Sequence, residues 1–341
     1  MAFEAQGRGR NGDRGAKATP DTPEQTNERP TIGLALGGGG ARGFAHIGVI
    51  RALLLHGIIP DIIVGTSIGA VVGGCYAAGQ MNVLEDWCRS LTKRGILSYL
   101  DISLSGSGLI GGGKLAARLD KDLGNTLIEE LPIRFATITT EVGTGHEIWL
   151  TRGRLADAMR ASYALPGIFP PVALDGRWLV DGALVNPVPV SAARVFGARM
   201  VIAVNVSSDT LGRSITMAGE NPSAAENVVE RRGLSRIFRA EQTLKRQFVG
   251  GGRRPGIPTV MVDAFNIMQD RITRARLAGD PPDVAINPRL GHVGWFDFHR
   301  AQEAIAVGSR AAERAFEEID EAIAALAPRP ASVTPAATSE T

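Results

Sequence analysis

The amino-acid sequence predicts an α/β fold, in which helices pack on the faces of a largely parallel central sheet. Two observations predict it, and each is a strand followed by a loop and a helix. In the first, β-permissive residues at Thr31–Leu36 precede four glycines and a helical apolar period over Ala41–His56. In the second, Ile62–Val64 leads through a tight turn into small residues that continue to about Ala78. Successive units of this kind place their strands parallel in one sheet.

The rest of the chain continues with short strands and helices. The predicted strands are Ile133–Thr140, His146–Leu150, Arg177–Val180, Met200–Val206 and Val284–Ile286. The predicted helices are Lys114–Leu123, Leu155–Ala164, Ala192–Gly197, Val260–Leu277 and Ala301–Leu326, and Met81–Leu100 begins as a helix and becomes irregular. Pro170-Pro171 enforces an extended segment between two of these elements.

The chain of 341 residues contains polar segments at both ends and one within the predicted folded domain. Residues 1–30 and 328–341 have almost nothing to bury, so we expect disordered tails on either side of a domain at 31–327. Within that domain, residues 207–256 are polar and basic, which predicts an insertion on the surface.

Charge and cysteine content restrict the class of protein. The net charge of +2 gives no argument for a nucleic-acid partner. The two cysteines, Cys75 and Cys88, form neither a disulfide framework nor a metal-binding pattern, and they fit a reducing compartment. No N-terminal targeting stretch and no apolar run of about 18 residues is present. We therefore expect a cytoplasmic protein, or one attached only to the inner surface of a membrane.

The turn after the second strand carries the pattern GxSxG, as Gly65-Thr66-Ser67-Ile68-Gly69. A strand that turns sharply into a helix exposes the serine at the apex of the turn, where it can act as a nucleophile. Gly65 and Gly69 suit such a turn because a Cβ on either side would collide with the crossing backbone. The alternative is a structural turn, since glycine is common in this chain.

The glycine loop after the first strand has the spacing Gly38-x-Gly40-x-x-Gly43, which also occurs in dinucleotide-binding proteins. That interpretation needs an acidic residue after the second strand, whereas Asp61 precedes it. We favour a loop whose free N–H groups bind a negative oxygen, with Arg42 as a nearby positive charge. Beside Ser67, the amides of Gly38, Gly39 and Gly40 would form an oxyanion hole.

A second glycine pattern, Gly108-x-x-x-x-Gly113-Lys114, has the spacing of a phosphate-binding loop. Leu115 stands where that motif needs a Ser or Thr to coordinate magnesium, so a flexible loop is the better interpretation.

An activated serine needs a base, and the residues leave two kinds of candidate open. Asp181 lies in a tight Asp-Gly-Ala turn, where burial would raise its pKa into a useful range. His292 and His299 follow it, so that Ser67, Asp181 and His292 would have the chain order of an α/β-hydrolase triad. His46 lies among apolar residues and is predicted to be a buried structural histidine.

Three motifs together resemble the signature of the patatin-like phospholipases. They are Gly38-Gly39-Gly40-Ala41-Arg42-Gly43, Gly65-Thr66-Ser67-Ile68-Gly69 and Asp181-Gly182-Ala183. The longer sequences of Leu36–Val49 and Ala164–Pro171 resemble the branch of the family that contains bacterial proteins and neuropathy target esterase. The resemblance implies a three-layer α/β/α patatin-like fold. It also implies a Ser67–Asp181 dyad without histidine, an oxyanion hole of glycine-loop amides, an acyl-enzyme intermediate and a lipid ester substrate. We expect no metal and no cofactor, because no ligand cluster is present and the oxyanion hole can do the electrophilic work.

The basic segment at residues 231–254 contains eight basic residues and one acidic residue, Glu241. On a helical projection its apolar and basic side chains lie on opposite sides. Such a helix can lie on an anionic membrane, or its apolar side can cap the domain.

The sequence thus predicts a serine esterase that cleaves acyl esters of phospholipids or lysophospholipids. Two alternatives stay open: a Ser-Asp-His esterase acting on small esters, and a non-catalytic membrane-binding protein that retains the fold.

Overall fold

The computed structural model describes residues 29–93, 95–96, 112–209 and 257–327. Residues Arg29–Ala327 form one compact unit. The tails expected at 1–30 and 328–341 fall outside the described residues, except for Arg29 and Pro30. The same holds for the basic segment and for all of the expected insertion beyond Asp209.

The described residues form eight strands and nine α-helices. The strands are β1 (Ile32–Leu36), β2 (Ile62–Thr66), β3 (Arg134–Glu141), β4 (Glu147–Leu150), β5 (Val172–Leu174), β6 (Arg177–Asp181), β7 (Met200–Val204) and β8 (Val284–Ile286). The helices are α1 (Ala45–Leu55), α2 (Ile68–Ala77), α3 (Met81–Ser90), α4 (Gly113–Leu123), α5 (Leu155–Tyr163), α6 (Val190–Val195), α7 (Ile257–Gly279), α8 (Ala301–Glu313) and α9 (Phe316–Leu326).

The strands form a single sheet in which hydrogen-bonded pairs link β5, β6, β3, β2, β1, β7 and β8 successively. Strands β6 and β2 lie end to end on one edge of β3, and β4 pairs with the other edge. Strands β3, β2, β1, β7 and β8 run parallel, whereas β4, β5 and β6 are antiparallel to their neighbours. The prediction of a largely parallel α/β sheet is therefore confirmed.

Both faces of the sheet are buried, which makes three layers. On β1, Ile32 and Leu34 pack into a core shared with helices α1 and α8, while Ala35 points to the opposite face. There it meets Val190 and Ala193 of the short helix α6. Strands that are covered on both sides are apolar throughout, and all five residues of β1, β2 and β7 are buried.

Several elements differ from the sequence prediction. The extended segment after Pro171 becomes strand β5, which pairs with β6 through a tight turn at Asp175 and Gly176, both with positive φ. The predicted helix Ala301–Leu326 is two helices, and the break after Glu313 carries α9 onto the edge formed by β7 and β8. Helix α7 begins earlier and ends later than predicted.

The residue Asp61 has a structural role at the start of the sheet. Its carboxylate accepts hydrogen bonds from the Arg29 guanidinium and from the Ile32 N–H, all at 2.8 Å. Arg29 thus makes an ordered contact although the sequence placed it in a tail. None of the helices in the described ranges is both long and apolar enough to cross a bilayer.

Candidate active site

Ser67 lies between the last residue of β2 and the first residue of α2. Its backbone has φ 56° and ψ −124°, a conformation that residues other than glycine seldom adopt. The Ser67 N–H donates to Ser162 Oγ at 2.8 Å, and the Ser162 hydroxyl donates in turn to the Ile138 carbonyl at 2.7 Å. The strained turn is therefore held by a buried serine on α5.

The Ser67 hydroxyl donates to Asp181 Oδ2 at 2.7 Å. The other carboxylate oxygen, Oδ1, accepts the Ala183 N–H at 2.8 Å. Asp181 is completely buried, and this burial raises the pKa of its carboxyl group from 3.8 to about 7, although the two hydrogen bonds act in the opposite direction. A carboxylate in this state can accept a proton from a hydroxyl near neutral pH.

The register of β3 explains why two residues 114 positions apart meet. Thr66 of β2 pairs with Ile138, and Asp181 of β6 pairs with Thr139, the next residue of β3. Strand β4 pairs with β3 at positions that also pair with β2 and at positions that also pair with β6. Since two strands cannot pair with the same residue on the same edge, β4 must lie on the edge of β3 opposite to both. Strands β2 and β6 therefore share one edge of β3 and approach each other end to end, which brings Ser67 to Asp181.

Close backbone contacts require glycine on both sides of this junction. A Cβ on Gly65 would lie 2.5 Å from Ala70 Cα, and a Cβ on Gly182 would lie 2.2 Å from the Ile138 carbonyl oxygen. Gly182 thus allows the turn after Asp181 to pack directly on β3.

The glycine loop lies beside the nucleophile, since a Cβ on Gly38 would be 3.3 Å from Ser67 Cβ. The Gly38 N–H donates to the Pro187 carbonyl at 3.0 Å, so this amide is already engaged. The carbonyls of Gly38 and Gly39 accept hydrogen bonds from Ser207 Oγ and Arg42 Nε. Because C=O and N–H point in opposite directions across a trans peptide, these contacts direct the N–H groups of Gly39 and Gly40 to the other side.

Arg42 supports the loop from a buried position. Its guanidinium donates to the Gly39 carbonyl and to Asn266 Oδ1, both at 3.1 Å, and lies over the ring of Trp295. Burial lowers the pKa of Arg42 to about 10, against the raising effect of Asp209. At this pKa the side chain is still a cation at neutral pH.

An apolar cavity opens beside Ser67 and Asp181, and both residues line it. Its lining includes Phe44, Val71, Leu115, Tyr163, Phe169 and Phe298. A cavity with a nucleophile at its wall and aromatic and aliphatic side chains around it suits a hydrocarbon chain attached to a reactive ester.

Two of the three histidines considered from the sequence, His46 and His292, are engaged elsewhere. His46 is buried on α1, its Nε2 lies 2.7 Å from the Gly37 carbonyl oxygen, and burial lowers its pKa to about 4. His292 is half-exposed and pairs with Glu303 at 2.7 Å. His299 lies in the short turn Phe298–Arg300.

Ser162 was not predicted as a site residue. The signal available was a serine two residues before the segment Ala164–Pro171, in a helix whose other buried residues are apolar. Of the phosphate-loop pattern, residues 108–111 fall outside the described ranges, and Lys114 lies at the start of α4. In the described part of the chain, no group of three or more His, Cys, Asp or Glu side chains is arranged to hold a metal ion.

Comparisons with known proteins identify the family. The family model of patatin-like phospholipase matches residues 34–194, a range that contains the glycine loop, Ser67 and Asp181. An NTE family protein of Mycobacterium tuberculosis is 36% identical over 336 residues, which cover 86% of this chain and 93% of that protein. The chain belongs to the patatin-like phospholipases and, among them, to the NTE family.

Other members of this family are much longer proteins. Lysophospholipase NTE1 of Scheffersomyces stipitis is 37% identical over 182 residues, which cover 52% of this patatin-like phospholipase and 12% of that protein. Among solved structures, VipD from Legionella pneumophila aligns with a TM-score of 0.43 and 15% identity, over 86% of this chain and 67% of that chain.

Proposed function

We propose that this patatin-like phospholipase is a serine esterase that cleaves acyl esters of phospholipids or lysophospholipids through Ser67 and Asp181. Membership of the family makes the protein a lipid hydrolase. The observation that carries the proposed mechanism is the 2.7 Å hydrogen bond from the Ser67 hydroxyl to a completely buried carboxylate, at the wall of an apolar cavity.

In the first half of the proposed reaction, Ser67 Oγ attacks the ester carbonyl while its proton passes to Asp181. The carbonyl oxygen becomes an oxyanion that accepts hydrogen bonds from the N–H groups of Gly39 and Gly40. When the intermediate collapses, the alcohol portion of the lipid leaves with the proton from Asp181, and the acyl group stays on Ser67. Water then attacks the acyl-enzyme with Asp181 again as base, which releases the fatty acid and restores the serine.

The contacts of Asp181 favour a dyad over a triad. In a Ser-Asp-His arrangement the histidine lies between the other two side chains. Here both carboxylate oxygens are occupied by direct contacts with Ser67 and Ala183, and His292 is paired with Glu303.

Covalent labelling tests the nucleophile. We expect a fluorophosphonate probe to label the wild-type protein at Ser67, because the probe forms a bond only with an activated hydroxyl. The Ser67→Ala variant should take up no probe and should lose activity on every member of a panel of phospholipids and lysophospholipids. The matched control is Ser309→Ala, which removes a hydroxyl on α8 that donates to Glu313.

Labelling should be measured by intact-protein mass spectrometry and located by peptide mapping. Absence of labelling in folded wild-type protein, or full activity of Ser67→Ala, would contradict the proposal and favour a non-catalytic protein. Activity confined to short, water-soluble esters would contradict the lipid substrate.

We also propose that residues 231–254 attach the protein to the surface of an anionic membrane. The support is the sequence pattern, in which basic side chains lie opposite Leu234, Ile237 and Phe238 on a helical projection. Attachment at the bilayer would place the enzyme where its substrate resides.

Reversing three charges tests this attachment. The triple variant Arg232→Glu, Arg236→Glu and Arg239→Glu is expected to sediment at least tenfold less with phosphatidylglycerol vesicles, because each charge contributes about 1 kcal/mol near an anionic surface. The control reverses three exposed arginines elsewhere, Arg152, Arg310 and Arg314. If both triple variants sediment alike, overall charge decides binding and the proposed role of this segment is wrong.

A further inference from the structure

Gln269 of helix α7 lies against the glycine loop, at the side where Ser67 faces it. Its side-chain Nε2 is 3.2 Å from the point that a Cβ on Gly38 would occupy, and Ser67 Cβ is 3.3 Å from the same point. The Ala183 methyl group, next to the Asp181 turn, is also 3.3 Å from it. The amide of Gln269 and the nucleophile thus approach the same small space beside Gly38.

This amide is buried without a hydrogen-bond partner. Gln269 is only 2% exposed, and its Oε1 is fully shielded and unpaired. Within the part of the chain that the structure describes, its Nε2 also donates no hydrogen bond. Its neighbours on the same helix are partnered, since Asn266 accepts from Arg42 and Asp270 pairs with Arg274. A buried amide without partners costs about 1 to 3 kcal/mol.

The glycine loop offers one free backbone donor fewer than the sequence predicts. Of the three loop amides that could hold an oxyanion, the N–H of Gly38 is taken by the Pro187 carbonyl. A side-chain amide carries two N–H donors and can turn about its last bond to present them. Gln269 therefore brings an unused donor next to Gly38, the loop residue whose own N–H is engaged.

We infer that Gln269 is a further catalytic residue, whose side-chain N–H donates to the ester carbonyl oxygen as that oxygen becomes the oxyanion. This inference rests on the proposed function, because it requires Ser67 to form a tetrahedral intermediate. It assigns the oxyanion three donors: the N–H groups of Gly39 and Gly40, and the Gln269 amide. The Nε2 donor, unused in the free enzyme, then forms its hydrogen bond when the negative charge develops.

The test replaces Gln269 by methionine, which has a similar length and volume but no donor. We expect kcat on a lysophospholipid to fall about 100-fold with KM changed less than threefold, because the lost interaction forms only in the transition state. The rate of fluorophosphonate labelling at Ser67 should fall by a similar factor. The melting temperature should stay the same or rise, since an apolar side chain removes an unpaired buried amide.

The matched control is Thr273→Val, which removes a hydroxyl from another buried position on the same helix. It should leave both kcat and the labelling rate within threefold of wild type. Wild-type labelling at Ser67 is measured first, so failure of the proposed function is recognised separately.

Three results would overturn the inference once wild-type labelling is established. One is a Gln269→Met variant with kcat within threefold of wild type. Another is a rise in KM at unchanged kcat, which would assign Gln269 to ground-state binding. The third is a loss of kcat together with a fall in melting temperature, or an equal loss in Thr273→Val, because either would indicate a packing role.

Discussion

Replacing Asp181 by asparagine is expected to lower kcat about 10⁴-fold while making the folded protein more stable at alkaline pH. An amide has nearly the shape of a carboxylate, so the packing is retained, but it cannot take the proton from Ser67. The stability effect arises because the ionised carboxylate is completely buried. Its pKa is about 7 in the folded protein, compared with an ordinary value of 3.8, so folding favours the protonated form.

The direction of the pH dependence follows from these two pKa values. Between pH 3.8 and about 7 the folded state binds a proton that the unfolded state has lost, so wild-type stability declines as pH rises through this window. The Asp181→Asn variant lacks this decline. Melting temperatures of both proteins, measured from pH 4 to pH 9, should therefore diverge with increasing pH.

Activity depends on pH in the opposite sense. Wild-type kcat/KM should rise about tenfold per pH unit below 7 and level off above it, because only the ionised carboxylate can act as a base. The control is His292→Ala, which should keep wild-type activity and the same profile. Loss of turnover in His292→Ala, together with an active Asp181→Asn, would contradict the dyad and favour a triad.

Replacing Gly69 by alanine is expected to destabilise the protein by about 3 kcal/mol or more, because the added methyl group meets backbone rather than a movable side chain. A Cβ at this position would lie 2.2 Å from the Leu36 carbonyl oxygen and 2.9 Å from that of Gly37. Leu36 ends β1 and Gly37 begins the glycine loop. The methyl group would therefore push the start of α2 away from the loop and separate Ser67 from the amides beside it.

The free energy of unfolding should be measured in urea, and kcat on the protein that remains folded. A displacement of about 1 Å at the nucleophile can cost about 100-fold in rate. The control is Gly279→Ala near the end of α7, where a Cβ would meet no atom within 4 Å. That variant should stay within about 1 kcal/mol of wild type. A Gly69→Ala protein with wild-type stability and kcat would show that the backbone there yields easily.

The local part of the fold could be predicted because each unit carries its own pattern. β-Branched residues before Gly65, small residues after Ser67 and the apolar period after the glycine loop predict the two strand–helix units, and the structure confirms them. The break after Glu313 was not predictable, because the apolar period continues through it and the bend serves contacts with β7 and β8.

Of the candidate site, too, one part was predicted from the sequence and another part appears only in the structure. The roles of Ser67, Asp181, Gly39, Gly40 and Arg42 stay predictions, but their placement side by side is an observation. The engagement of the Gly38 N–H by Pro187, which leaves two loop amides instead of three, depends on a segment 149 positions away and has no local signal. Ser162 and Gln269 also reach the site from distant helices.

Residues that are neighbours along the chain were enough to predict the family, the largely parallel α/β fold and the strand–turn–helix at Ser67. The side chain that contacts the serine depends instead on how distant strands pair. Asp181 contacts Ser67 because β2 and β6 pair with consecutive residues of one edge of β3, and strand register is set by the packing of the whole sheet. The preference for a direct Ser–Asp contact over a histidine relay follows from that register.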